Sequence, residues 1–136
     1  MSDLQFIKNF RKNIRKLERL IFFQKNNTCC KGVTLAQCHI LLELMESGEI
    51  TVSSLARRIN LDKSTVSRTV DSLFDKKMVN RSENPENRRE ALVSLTQEGN
   101  CTCREIDDKN NFFFAKVFEN LTDEEINQID RSIASL

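Results

Sequence analysis

Between positions 62 and 68 the chain reads Asp-Lys-Ser-Thr-Val-Ser-Arg, two cations and three short hydroxyl donors around one apolar residue. Projected from the first turns of a helix, such side chains suit the base edges and phosphates of a DNA major groove, so Lys63, Ser64, Thr65, Ser67 and Arg68 are candidate contacts. Arg88 and Arg89 follow the turn sequence Asn84-Pro85-Glu86-Asn87, and on the tip of a hairpin they can enter a neighbouring minor groove, where an A·T-rich tract concentrates negative potential. Arg57 and Arg58, a few residues upstream, are placed for phosphate contacts. No comparable set exists for catalysis. Cys38 and His39 are adjacent, diverge by ~100° on a helix and have no acid to orient them, so the chain is not expected to be an enzyme. With one histidine and no HxxxH or CxxC spacing, no metal site and no cofactor are expected either.

Five cysteines, an odd count without an export signal, read as reduced thiols rather than a disulfide framework. Cys29 and Cys30 lie beside Lys25 and Lys31, and Cys101 lies near the start of a long helix; these three are the candidates for a redox response. Cys101 and Cys103 are two apart on a helix and point away from each other, so they do not bridge.

The elements that must hold these groups follow from periodicity. Ile7, Phe10, Ile14, Leu17 and Ile21 recur at 3,4,3,4 spacing with basic residues between them, which predicts a first helix with a narrow apolar seam and a basic outer face. Thr34 and Gln37 form a capping-box pattern at the head of a second helix running to Gly48. A short third helix is expected with Ser53 as its N-cap and Leu55, Ala56 and Ile59 inside. After the turn Asn60-Leu61-Asp62, Asp62 caps a fourth helix whose inner face is Val66, Val70, Leu73 and Phe74. Residues 78–82 and 91–95 are strand candidates joined by the Asn-Pro-Glu-Asn turn, giving a hairpin. Helical spacing returns after Thr96 with Cys103, Ile106, Asn110, Phe113 and Val117. Thr122 and Glu125 then open a last helix carrying Ile126, Ile129, Ile133 and Leu136. Phe112, Phe113, Phe114 and Phe118, with Phe22 and Phe23 if the terminal helices meet, fill a core or line a cleft for a small aromatic effector.

The chain has 136 residues, 39% hydrophobic and 30% charged, with three Gly and one Pro. That is one domain of mainly helical type; an all-β fold is excluded, and no apolar run approaches the ~20 residues needed to cross a bilayer. The N-terminus lacks the order of a secretory signal, so a cytoplasmic protein without membrane contact is expected. The net charge of +1 conceals a division: residues 1–31 carry +6, 32–50 carry −3, 51–95 carry +3 and 96–136 carry −5. A basic lobe and an acidic end suggest separate surfaces, one for a polyanion and one for a partner or the chain itself. The narrow seams of the first and last two helices are of the kind that pairs with a twin in a two-fold dimer.

Helix, tight turn, helix and hairpin in the order 51 to 95 is the winged helix-turn-helix arrangement. Residues 33–99 resemble the MarR family of bacterial transcription regulators. The resemblance is carried by Val33-Thr34-Leu35-Ala36-Gln37, Leu55-Ala56, Leu61-Asp62-Lys63-Ser64-Thr65-Val66-Ser67-Arg68, Asn84-Pro85-Glu86-Asn87-Arg88-Arg89 and Leu95-Thr96-Gln97-Glu98-Gly99. It implies a mainly α (α+β) protein with N- and C-terminal dimerisation helices, 1–31 and 100–136, around a DNA-binding lobe, 32–99. It also implies a homodimer on double-stranded DNA with a pseudo-palindromic operator, acting as a repressor released by a small ligand or by thiol oxidation. The alternative use of the same fold is a protein-interaction module without DNA binding. Two positions depart from the family pattern. Asn87 stands where the family has an Asp that pairs with the arginine two places on, here Arg89, so Asn87 accepts a hydrogen bond from it without neutralising it. Lys77 stands where the family commonly has Gly, which costs roughly 1 kcal/mol if the backbone there is left-handed.

Overall fold

In a computed structural model of the chain, residues 2–28 and 32–136 are described, with side chains for 2–21 and 32–136. Among these residues six helices and three short strands follow in the order α1 (Asp3–Thr28), α2 (Leu35–Ser47), β1 (Ile50–Thr51), α3 (Val52–Ile59), α4 (Lys63–Asp75), β2 (Val79–Glu83), β3 (Ala91–Leu95), α5 (Gln97–Phe118) and α6 (Asp123–Ala134). The strands form an antiparallel sheet ordered β1-β3-β2, with Val79 opposite Leu95, Glu83 opposite Ala91 and Ile50 opposite Val93.

Local chemistry sets most of the helix starts. The Thr34 hydroxyl accepts the Gln37 N–H at 3.2 Å while Gln37 Oε1 accepts the Thr34 N–H at 3.0 Å, the reciprocal capping box. Asp62 caps α4 through the Thr65 N–H, and Thr122 with Glu125 repeats the box at α6. The third helix departs from expectation: its N-cap is Thr51, which accepts from the Ser54 N–H, not Ser53. Thr51 closes β1, and pairing with Leu92 leaves it in the extended geometry a cap requires. The second strand begins at Val79 and runs to Glu83 rather than spanning 78–82.

The core is built by α2, α3, α4, both long strands and the first half of α5. Ile40, Leu41, Leu55, Val66, Leu73, Val93 and Cys103 are fully enclosed. Truncating one of them, Leu55→Ala for example, removes roughly 2–5 kcal/mol of stability. Phe74, expected on the inner face of α4, is instead 41% exposed and lies beneath the Arg81 guanidinium, 4.1 Å from its ring centroid. The apolar face of α4 is therefore narrower than its sequence suggests, and β2 covers its last turn with a cation. Among the described side chains, neither α1 nor α6 contributes to the buried core: Ile7, Phe10, Ile14 and Leu17 remain 37–49% exposed.

Lys77 adopts φ 61°, the left-handed conformation that closes α4, and Asn60 does the same at φ 53° after α3. The Lys77 carbonyl accepts the Thr96 hydroxyl at 2.7 Å, and the Met78 carbonyl accepts the Thr96 N–H at 3.1 Å. Gly99 packs onto this junction so closely that a Cβ would lie 2.0 Å from the Met78 carbonyl oxygen. The end of α4, the foot of the hairpin and the start of α5 are thereby locked together.

Candidate nucleic-acid interface

Val66, Val70 and Leu73 anchor α4 to the core, which leaves Lys63, Ser64, Ser67 and Arg68 exposed along its other side and Thr65 half-buried. Ser64, Ser67, Arg68 and Asp71 follow i, i+3, i+4, i+7 spacing and so form one stripe. At the head of this stripe Asp62 accepts three hydrogen bonds: Ser64 Oγ at 2.6 Å, Thr65 Oγ1 at 2.7 Å and the Thr65 N–H at 2.8 Å. These bonds, the Ser64 hydroxyl first and the Thr65 groups next, hold the Asp62 carboxyl well below the usual carboxylate range. With their protons committed to Asp62, both hydroxyls are left to act as acceptors, and Thr65 Oγ1 already accepts from Arg68 at 3.5 Å.

The basic residues divide into paired and unpaired. Lys63 Nζ lies 3.7 Å from Glu90, Arg58 is engaged with Glu43 and Ser47 of α2 at 3.4 and 3.1 Å, and Arg81 pairs with Asp71. Arg88 lies 3.5 Å from Glu83 with both side chains largely in solvent, a pair worth little. Among the described residues no ion pair involves Arg57, Arg68 or Arg89. Arg57 and Arg68 make hydroxyl contacts, to Ser54 at 3.3 Å and Thr65 at 3.5 Å.

The wing tip is two consecutive turns, closed by Asn87 N–H to the Asn84 carbonyl and Glu90 N–H to the Asn87 carbonyl. Asn87 Oδ1 accepts from the backbone N–H of Arg89 at 3.1 Å, not from its guanidinium as the sequence suggested. The Arg89 head group consequently stays available. A groove between α4 and the wing is lined by Lys63, Ser67, Arg81, Arg89 and Glu90, and a shallower one beside it by Ser53, Arg57, Asn60 and Lys63. Lys63 borders both, so the structure brings Arg57, Lys63, Ser67 and Arg89 onto one continuous surface. Lys76 stands apart from it, donating to Gln37 Oε1 at 3.0 Å and to the Gly32 carbonyl.

Sequence reasoning missed Glu90, Asp71 and Arg81. Each pairs across 10 or more residues, and only Arg81, on β2, had a local signal in its alternating strand position. Of the thiols, Cys101 is exposed and free, whereas Cys103 is buried and donates to the Leu41 carbonyl at 3.3 Å. Burial, with smaller contributions from Cys38 and Asp107, pushes the Cys103 thiol up to about 11. Cys29 and Cys30 lie outside the described residues. On α5, Phe112 and Phe113 with Asp108, Lys109 and Lys116 line an open cleft of about 410 Å³. Phe114 and Phe118 stack on each other at 6.2 Å without lining it, and the side chains of Phe22 and Phe23 lie outside those described. His39 is exposed, and no group of three or more metal-ligating side chains occurs among the described residues. No helix among them is long and apolar enough to cross a membrane.

Comparison with known proteins bears on the family and the fold. The MarR family model matches residues 33–91. The chain is 33% identical to the HTH-type transcriptional repressor MdtR of Bacillus subtilis over 78% of its own length and 68% of that protein's. Its fold superimposes on a mutant MarR from E. coli complexed with operator DNA with a TM-score of 0.78, at 21% identity and 99% and 98% coverage. It superimposes on Bordetella bronchiseptica BpsR, whose DNA binding is regulated by 6-hydroxynicotinic acid, with a TM-score of 0.80, at 21% identity and 94% and 97% coverage. The relatives are named as transcriptional regulators rather than enzymes, and with its winged lobe and its flanking helices the chain belongs to the MarR family.

Proposed function

We propose that the protein is a dimeric, sequence-specific DNA-binding repressor that lays α4 in the major groove and the wing arginines in the adjacent minor groove. The observation that carries this reading is the pair Arg68 and Arg89. Both are exposed, neither has a carboxylate partner among the described residues, and they stand on two elements locked at a fixed mutual position by the Lys77–Thr96–Gly99 junction. Ser64, Thr65 and Ser67 supply short polar contacts, and Arg57, with Lys63, faces the phosphates. Arg58 and Arg88 are secondary contacts in this reading, since each carries an acidic partner.

Residues 1–31 and 100–136 act as dimerisation helices. Their described seams are exposed, no residue of α6 is buried, and a second copy offers them opposite charge, +6 on 1–31 against −4 on 100–136. Release from DNA follows binding of a small aromatic effector at the Phe112–Phe113 cleft or oxidation of the exposed Cys101; the likeness to BpsR supports the first route. Selection of bound duplexes from a random pool, with and without peroxide, tests the whole reading. A two-fold motif with half-sites about one or two helical turns apart is expected. Arg68→Ala and Arg89→Ala should each weaken binding to that motif roughly 5- to 150-fold. Variants that bind like wild type would show that α4 and the wing do not read DNA.

A further inference from the structure

Glu90 closes the wing tip, one residue before β3, with its side chain 18% exposed. Its Oε1 accepts the backbone N–H of Ser53, in the first turn of α3, at 2.9 Å, and lies 3.7 Å from Lys63 Nζ at the first position of α4. One carboxylate thus joins the wing to both helices of the reading lobe. It does there what a duplex phosphate does at a protein surface: it satisfies a helix N-terminal donor and it neutralises a lysine. Hydrogen bonding from Ser53, and then the Lys63 ammonium, hold the Glu90 carboxyl below its ordinary value, so it stays ionised wherever the protein is folded near neutral pH.

The choice of cation matters. A lysine is a compact point charge suited to phosphate, while an arginine fork can also read a guanine edge. Of the cations lining the groove, Lys63 and Arg81 carry internal counter-ions while Arg89 does not, and among the described residues Arg68, farther along α4, has none either. A cation already neutralised within the protein displaces fewer counter-ions from a duplex, and counter-ion release is what drives sequence-independent binding. We propose that Glu90 is a positioning residue that competes with phosphate for Lys63, and by doing so holds down the protein's affinity for duplex DNA irrespective of sequence. This rests on the DNA-binding reading above.

Fluorescence anisotropy titrations of a generic duplex, from about 50 to about 200 mM salt, test it with wild type, Glu90→Gln, Lys63→Ala and the double variant. Glutamine keeps an oxygen for the Ser53 N–H and removes only the charge. Freeing Lys63 should steepen the salt dependence by about 0.9 per contact, so across that range Glu90→Gln should lose about 3-fold more affinity than wild type with one lobe bound and about 12-fold more with two. The double variant should run parallel to Lys63→Ala. A purely structural role for Glu90 would shift the melting temperature or weaken binding equally at every salt concentration. If wild type binds and Glu90→Gln runs parallel to it, or if the steepening survives without Lys63, the inference is overturned while the DNA reading stands. A wild-type protein that binds no duplex overturns the DNA reading itself, and this inference with it.

Discussion

Replacing Lys77 with glycine should make the protein more stable, and the size of the gain follows from the backbone. At φ 61° a residue with a Cβ crowds its own carbonyl, at a cost of roughly 1–2 kcal/mol. Glycine removes that cost but adds freedom to the unfolded chain, worth roughly 0.4–1 kcal/mol in the opposite direction. The net gain is about 0.5–1 kcal/mol, or about 2–4 °C in melting temperature for a chain of this length. The side chain is exposed and belongs to no ion pair among the described residues, so little else is lost. Two controls isolate the backbone effect. Lys77→Ala removes the charge and keeps the Cβ, so it should gain nothing. Asn60→Gly changes the other left-handed residue, at φ 53°, but asparagine tolerates that region and the change should stay within about 0.5 kcal/mol. Thermal or urea unfolding at one fixed protomer concentration reads all three, since self-association would otherwise move the midpoint. The reasoning fails if Lys77→Gly is no more stable than Lys77→Ala.

Gly99→Ala should destabilise strongly, because its Cβ would meet backbone at 2.0 Å and α5 would have to separate from Met78; a loss of about 3 kcal/mol or more in urea unfolding is expected, and a loss under about 1 kcal/mol would refute the close approach. Asp62→Asn should cost stability only where Asp62 is ionised. Its folded value is depressed, so its contribution is present above an ordinary carboxylate value near 3.8 and fades as pH falls toward the folded value. The gap between the melting curves of the two proteins should therefore narrow progressively as pH falls below about 4, and a gap that stayed constant with pH would contradict the assignment. In native protein at pH 7.5, iodoacetamide should modify Cys103 at least about 100-fold more slowly than a free thiol of ordinary pKa, because a thiol near 11 holds so little thiolate. Mass spectrometry showing Cys103 labelled as fast as Cys101 would reject that burial.

What the sequence made legible was what depends on neighbours a few residues away. The Thr34 and Thr122 boxes, the Asp62 cap and the hydrophobic faces of α2 and α5 all rest on i to i+4 relations, which a single chain displays directly. The failures involve distance. Two adjacent residues, Ile50 and Thr51, are a strand only because Leu92 and Val93 lie beside them, and that pairing moves the α3 cap from Ser53 to Thr51. The Ser53 N–H is then occupied by Glu90, 37 residues away. The carboxylates that neutralise Lys63, Arg81 and Arg58 were invisible for the same reason, so sequence reading overstated how many cations face outward.

Fewer available cations make the proposed second copy matter more. Specific DNA binding must exceed non-specific binding by typically about 4–10 kcal/mol. If Arg68 and Arg89 each supply about 1–3 kcal/mol of discrimination, one lobe reaches only about 2–6 kcal/mol, which falls short of that range or enters only its lower part. A two-fold pair of lobes doubles the figure without any new kind of contact, and brings it to the scale a regulator needs. The exposed seams of α1, α5 and α6 are therefore tied to the reading surface through energy rather than proximity. A substitution that splits the pair, such as Ile14→Asp on the α1 seam, should leave lobe folding intact because Ile14 is outside the buried core. It should nevertheless reduce binding to a two-fold site far more than binding to a random duplex. Equal losses on both duplexes, with sedimentation confirming monomers, would mean that a single lobe already carries the specificity.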